Sequence, residues 1–430
     1  MEEKLLEKLH NMPIFRLSLG SKELFHSNFL EYLWDCDRGS FIQMIRNLYG
    51  RADILTANPE DYFLSREKEN FDVCIYHTEN KDENGTPIYD LILENKVKSI
   101  PYKEQLAEYV KKVAQRKQDA PAYLLLSLSK DFPDKGTNDV INVSVEIDDK
   151  KHNRTIPGPW KIINYSQLKG EIENQNKLIK QPYVDDYCRF IEALDELGEA
   201  VLNNIKNEYL FPEGAVYAYK KERLHDLYIK IRCSWFVARL KQELEGEKIP
   251  VKIVSKYEDR QPGYVSLNVA MNQGNGQIAA WICEEGNFNT KGKGKLIANT
   301  FEIVVQGNQY RHGINQMGYK PDEAKTKYRP DRLNELYTRL LPGSRSRQFL
   351  DFEGEFHQCF GEGTDVEPKV KKNFRYYGVP KAGPFDCYDE SYIYRYVSIN
   401  KDNARYTTRE LLETMREDIR RIFPNMPNLS

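Results

Sequence analysis

The sequence predicts an α/β domain, a mixed sheet flanked by helices, followed by a second, α+β domain containing an antiparallel sheet. Three observations carry that expectation. Residues 91–93 (Leu-Ile-Leu) and 122–128 (Ala-Tyr-Leu-Leu-Leu-Ser-Leu) are short continuous apolar runs, the mark of strands buried on both faces. Between them Leu106, Val110 and Val113 repeat at helical spacing. Beyond Phe211-Pro-Glu-Gly-Ala215 a long helix is followed by strand-like segments separated by Gly/Asn turns. That break sets the expected boundary, with residues 1–210 in the α/β domain and 211–430 in the α+β domain.

Composition narrows the class. The chain of 430 residues is long enough for two or three cores. Hydrophobic residues make up 40% and charged ones 30%, with no apolar run near the ~20 residues of a membrane helix, so no membrane partner is expected. Residues 1–10 read as an amphipathic helix and lack the apolar core of a secretory signal. Seven cysteines without a C-x-x-C pair argue against a disulfide frame and a zinc site, and a cytoplasmic location is expected. A net charge of -2 lends no global support to a nucleic-acid partner, but it leaves room for local basic patches.

The elements follow in order. After the first helix, Ser21 can cap a second that runs to about Asp35, with Glu23 in its first turn, where the helix dipole favours an acid. His26 and Ser27 on this helix have no evident nucleophile partner and are expected to pack or bond locally. A third helix covers residues 41–49, and a first strand covers 62–67. Glu69-Asn-Phe-Asp72-Val-Cys-Ile-Tyr76 reads as a second strand, joined to a third over 88–97 by a loop rich in Asn, Asp, Gly and Pro. Paired as a hairpin, the two strands place Asp72 beside the end of the third.

Along that third strand, alternation puts Asp90, Ile92, Glu94 and Lys96 on one face and Leu91, Leu93 and Asn95 on the other. A strand tip is where open α/β sheets put their chemistry. Carboxylates there suit a hard cation such as Mg²⁺ or Mn²⁺, and an ammonium two residues on suits a water or a phosphate. The next helix is expected to have Ser99 as its cap and Pro101 in its first turn, with Gln105 and Tyr109 on a face that overlooks the same pocket. After the 122–128 strand come a polar insertion or hairpin at 129–159, a strand at 160–166 leading to a short helix, and a long helix over 183–206.

In the second half a helix over 220–245 ends at Gly246, and strands follow at 251–257, 264–271, 277–284 and 298–306. Lys291-Gly-Lys-Gly-Lys295 lacks the pattern of a nucleotide cradle and reads first as a solvated lysine turn. Lys369-Val-Lys-Lys372, with Phe374, Arg375, Tyr376 and Tyr377 behind it, interleaves basic and aromatic groups as a single-strand-binding surface would. With 28 tyrosines in the chain, that pattern also arises without purpose. Tyr392, Tyr394 and Tyr396 alternate along one strand face as sheet packing. Thr407-Thr-Arg-Glu410 is a capping box that opens a last helix, which stops at Pro424 and docks on the second domain or on a partner subunit.

Asp72, Glu94-x-Lys96 at the end of an apolar strand, and Gln105-x-x-x-Tyr109 on the following helix together resemble the PD-(D/E)XK nuclease superfamily, in the branch with RecB-like motifs. Lys22-Glu23-Leu-Phe-His26-Ser27-Asn-Phe-Leu30 is similar to the first helix of an uncharacterised bacterial set within it. The resemblance covers roughly the first half of the chain. It implies a restriction-endonuclease-like αβββαβ core and a Mg-dependent endo- or exodeoxyribonuclease, a hydrolase for which Mn²⁺ can substitute and whose partner is nucleic acid, DNA first. Carried over by position, it implies that Asp72 and Glu94 ligate the metal with the backbone carbonyl of Asn95, and that Lys96 positions the attacking water. Glu23 is then an outer acid, and Gln105 and Tyr109 hold the substrate backbone or steady the lysine. Phe71 stands where the proline of the family's name is expected.

The second domain is left to select the substrate or to make a homodimer. The alternative is a nuclease-fold module that no longer cleaves and that binds nucleic acid or a protein partner in a restriction or defence complex. The bland reading is an ion-pair network of Asp72, Glu94 and Lys96 without chemistry.

Overall fold

The structure is a computed structural model that describes residues 2–19, 22–82, 84–97, 102–115, 120–128, 137–149, 152–203, 205–255, 259–272, 275–283, 298–317, 343–356, 392–401 and 404–423. Ser21, Ser99, Pro101, the lysine turn at 291–295 and the basic-aromatic segment at 369–377 lie outside the described residues. The chain forms two compact units, Met1–Asn203 with Glu213–Trp235, and Asn204–Pro212 with Phe236–Ser430. Each contains helices and a mixed six-stranded sheet. Among the described residues no helix is long and apolar enough to cross a membrane.

The first unit opens with α1 (Glu2–His10), α2 (Pro13–Ser18), α3 (Lys22–Cys36) and α4 (Arg38–Tyr49). α4 has both of its ends marked in the sequence: the Asp37 side chain accepts from the Ser40 N–H, and Gly50 closes the helix at φ 79°, a conformation that favours glycine. The strands β1 (Tyr62–Lys68), β2 (Phe71–Lys81) and β3 (Pro87–Lys96) then form an antiparallel meander. α5 (Lys103–Ala114) leads to β4 (Ala122–Ser127), which is parallel to β3 and buried at every position. The polar stretch after β4 is a hairpin of β5 (Val140–Asp149) and β6 (His152–Asn164), so the strand expected at 160–166 is the second half of β6. The sheet order is β1-β2-β3-β4-β6-β5. Helices α6 (Tyr165–Asn174), α7 (Asn176–Ile179), α8 (Val184–Leu202) and α9 (Glu213–Lys221) follow.

Two local expectations are corrected. α5 starts at Lys103 with Tyr102 as its N-cap, later than a Ser99 cap would set it. The β2/β3 register runs Val73↔Leu93, Cys74↔Ile92, Ile75↔Leu91 and then jumps to Tyr76↔Tyr89. Asp90 is therefore the extra residue of a bulge, its Oδ2 accepting from the His77 N–H at 2.9 Å. Strict alternation would put Asp90 on the face of Glu94. The bulge puts the buried Tyr89 there instead, in a cluster with Ile92, Tyr109 and Trp160.

Helix α10 (His225–Gly246) runs from the first unit into the second. The second sheet contains β7 (Val251–Ile253), β8 (Val265–Asn272), β9 (Asn275–Cys283), β10 (Ala298–Gln306), β11 (Gln309–Met317) and β12 (Tyr392–Ser398), in the order β12-β11-β10-β9-β8-β7. It is antiparallel except for β7 and β8, whose connecting segment is long enough to return the chain in the same direction. The expected antiparallel sheet is thus mixed. Helix α11 (Arg345–Asp351) precedes β12, and α12 (Thr408–Ile422) opens with the Thr407/Glu410 capping box that the sequence signals. α12 is tied to β11 inside this unit: His312 Nε2 lies 2.8 Å and the Tyr310 hydroxyl 2.6 Å from Asp418 Oδ2. The His312 ring lies between those of Phe349 and Phe352, at 4.1 and 4.0 Å, and its Nδ1 is 2.7 Å from the Phe349 carbonyl oxygen.

Candidate active site

The pairing that sets Val73 opposite Leu93 leaves Asp72 at the start of β2 beside the end of β3, near enough for the charge of Glu94 to act on it. Lys96, one pleat further along β3, brings its Nζ within 2.6 Å of Glu94 Oε1. From above, the Tyr109 hydroxyl of α5 donates to the same Oε1 at 3.1 Å, and Gln105 Nε2 donates to the Tyr109 oxygen at 3.1 Å. Glu94 and Lys96 are both buried, and among the described residues Glu94 Oε2 has no hydrogen-bond partner.

A water-poor setting with two neighbouring acids has an electrostatic cost. Burial, and after it the neighbouring charge of Glu94, pushes the Asp72 carboxyl up to about 7, while the Asn95 N–H and Lys96 hold it back. Glu94 is also raised by burial, against the pull of Lys96 and Tyr109, and the charge of Glu23 adds to the rise. Burial raises the Tyr109 hydroxyl further still, which keeps it a hydrogen-bond donor.

Behind the acids, Asn95 ties three elements together. Its backbone N–H donates to Asp72 Oδ2 at 2.7 Å. On the opposite face of β3 its Nδ2 donates to the Glu23 carbonyl at 2.9 Å, and its Oδ1 accepts from the Tyr165 hydroxyl at 2.7 Å. The six residues expected to form the site therefore come together. Asp72, Glu94, Lys96, Gln105 and Tyr109 are linked by contact or charge, and Glu23 joins through Asn95 and through its own field. Tyr109 steadies Glu94 rather than Lys96. His26 and Ser27 pack and bond locally, as expected: His26 Nδ1 lies 3.0 Å from the Tyr187 hydroxyl, burial lowers the imidazole to about 3, and Ser27 Oγ donates to the Glu23 carbonyl.

Sequence reasoning missed Tyr165, the first residue of α6. The signal available was topological, since β3, β4 and β6 are parallel neighbours and their C-terminal ends lie side by side, which puts the residue after β6 beside the end of β3.

Among the described residues no group of three or more His, Cys, Asp and Glu side chains is set to hold a metal ion. A Mg²⁺ site asks for less, one or two carboxylates completed by water and substrate phosphate. Asp72 and the partnerless Glu94 Oε2 meet that requirement with hard oxygen donors. No family model, curated protein or solved structure matches the chain.

Proposed function

We propose that the first unit is a metal-dependent nuclease that hydrolyses phosphodiester bonds in DNA through a Mg-activated water. One observation carries the reading: among the described residues Glu94 keeps a buried oxygen without a partner beside Asp72, whose proton is held to about 7. A buried pair of carboxylates with one ammonium has more negative charge than it can neutralise, and a divalent cation relieves that imbalance. The order α3, β1-β2-β3, α5, β4 supports a restriction-endonuclease-like core.

Asp72 and Glu94 would hold the cation, with the backbone carbonyl of Asn95 as the further ligand that the resemblance implies. Bound there, Mg²⁺ or Mn²⁺ would acidify the nucleophilic water and take up charge on the phosphate. The residues of the chain do the rest. Lys96 releases Glu94 and turns its ammonium to the attacking oxygen in line with the scissile phosphate. Tyr109, held by Gln105, keeps the Glu94 carboxylate aimed. Asn95 fixes Asp72 from its backbone N–H, and Glu23 deepens the negative field that attracts the cation. The second unit selects the substrate or makes a homodimer. None of the five cysteines among the described residues is in a disulfide, which suits a reducing, cytoplasmic setting.

The direct 2.6 Å contact between Lys96 and Glu94 favours a second reading, a nuclease-fold module in which the pair is satisfied internally and nothing is cut. Incubation with plasmid and linear DNA plus Mg²⁺ or Mn²⁺, beside a Glu94→Ala control, separates the two. Metal-dependent cutting that the control lacks supports the nuclease, and equal inertness of both proteins supports the module.

A further inference from the structure

On the face of the sheet that carries Glu94 and Ile92, five aromatic rings follow one another from the site to the edge. Tyr109, whose hydroxyl bonds Glu94, lies 5.4 Å from Phe71 by ring centroids. Phe71 lies 5.5 Å from Tyr89, Tyr89 lies 6.2 Å from Tyr76, and Tyr76 lies 6.2 Å from Phe63 with the two rings only 17° from parallel. The first three are buried and form a fixed support. Phe63 is on β1, the edge strand, and is 51% exposed. α5 packs over β5 and β6 at the other end of the sheet, and among the described residues the Phe63 ring stays open to solvent.

Two ammonium groups line the same path. Lys68 Nζ sits 4.7 Å from the Tyr76 ring, and Lys112 Nζ sits 5.5 Å from the Tyr109 ring while donating to the Glu69 carbonyl. The Glu69 carboxylate accepts from the Tyr89 hydroxyl, and Glu67 is the exposed acid of this strand end.

We propose that Phe63 and Tyr76 form a base-stacking subsite, with Lys68 as its phosphate contact, that receives the unpaired bases of a single-stranded nucleic acid leading into the acid pair. The proposal rests on, and deepens, the reading of that pair as a phosphodiesterase site. The size of the patch argues for this occupant. A protein interface needs several hundred Å² from each side, whereas one open ring backed by another matches the π-face of a nucleobase. Cations beside the rings complement the backbone between successive bases, and duplex bases, already stacked in pairs, cannot use such a platform.

The test measures binding of a labelled single-stranded DNA oligonucleotide, and of a blunt duplex of the same sequence, to the full chain in Ca²⁺, a cation that generally binds such acid sites without supporting cleavage. Phe63→Ala is expected to weaken single-strand binding about 5- to 150-fold and to leave duplex binding within about twofold, the range a lost base–aromatic stack produces. Phe63→Trp keeps the affinity, and Lys68→Ala lowers the salt slope by about one. Phe63 is exposed, so its loss leaves the fold intact, which circular dichroism checks. Unchanged single-strand binding by Phe63→Ala overturns the proposal. So does loss of concentration-dependent self-association in that variant with oligonucleotide binding intact, since a second copy of the chain would then be the occupant. The two readings fail separately. A wild-type chain that binds the oligonucleotide through Phe63 without cutting any DNA in Mg²⁺ loses the nuclease but keeps the platform, and one that cuts and binds single strands regardless of Phe63 does the reverse.

Discussion

Lys96 Nζ lies 2.6 Å from Glu94 Oε1, and both side chains are buried. Removing the ammonium leaves a buried carboxylate without its counter-charge, which costs about 3–5 kcal/mol. Lys96→Ala is therefore expected to fold with a lowered Tm, to regain part of the loss when Mg²⁺ is added, and to cut DNA at least ~10²-fold more slowly than wild type. Thermal melts with and without Mg²⁺, beside a plasmid-nicking assay, check this. A variant that cuts at the wild-type rate removes Lys96 from the chemistry.

Asp72 gives stability a distinctive pH dependence. Its folded value of about 7 lies above its ordinary 3.8, so the folded chain binds the proton more tightly than the unfolded one. This group's contribution to stability is therefore full below about pH 4 and is lost as the pH rises to about 7. In the absence of divalent cations, Asp72→Asn should flatten that decline and be the more stable protein at pH 8, by roughly 2–4 kcal/mol. Added Mg²⁺ should raise the Tm of the wild type and not that of the variant. Urea melts at pH 4, 6 and 8 measure both effects, and parallel curves for the two proteins would exclude the shift.

The Tyr165 hydroxyl, through Asn95, sets the position of Asp72. Tyr165→Phe keeps the buried ring and loses one hydrogen bond, a change worth about 0.5–1.5 kcal/mol of stability. Its larger expected effect is on the site, as weaker Mn²⁺ binding by titration calorimetry. Wild-type Mn²⁺ affinity together with a lowered Tm would make the residue purely structural.

In the second unit, Asp418 is fully buried and meets both His312 and Tyr310. His312→Ala removes the ring stacked between Phe349 and Phe352 and takes one of its partners from the buried Asp418, which keeps the Tyr310 hydroxyl, and a loss of about 3–5 kcal/mol is expected. Denaturant unfolding followed by the fluorescence of Trp281, which lies in this unit, reports it.

What the sequence made legible was local. The run 91–93 passing into Glu94-Asn95-Lys96, the Asn/Gly loop of the hairpin and the Thr407/Glu410 box each act over a few residues, and each stands where its chemistry points. The bulge at Asp90 was not legible, because what outweighs strict alternation is the burial of Tyr89 among Ile92, Tyr109 and Trp160, side chains that lie elsewhere in the sequence. Tyr165 was hidden for the same reason, since it meets Asn95 only once β3, β4 and β6 are side by side. The short helices α2 and α9 carry too few turns for a period to show.

The β2/β3 ribbon changes register at Asp90 and again between Tyr76 and Lys81, so its outer lengths need not keep step with its base. Tyr76 and everything beyond it toward Asp82 and Gly85 can slip by a residue without the slip reaching Cys74 and Ile92. One residue inserted after Asn84 should leave DNA cutting unchanged, whereas one inserted after Val73 should abolish it. The outer arm is thereby free to lengthen or shorten as the chain diverges, while the two acids at its base stay in phase.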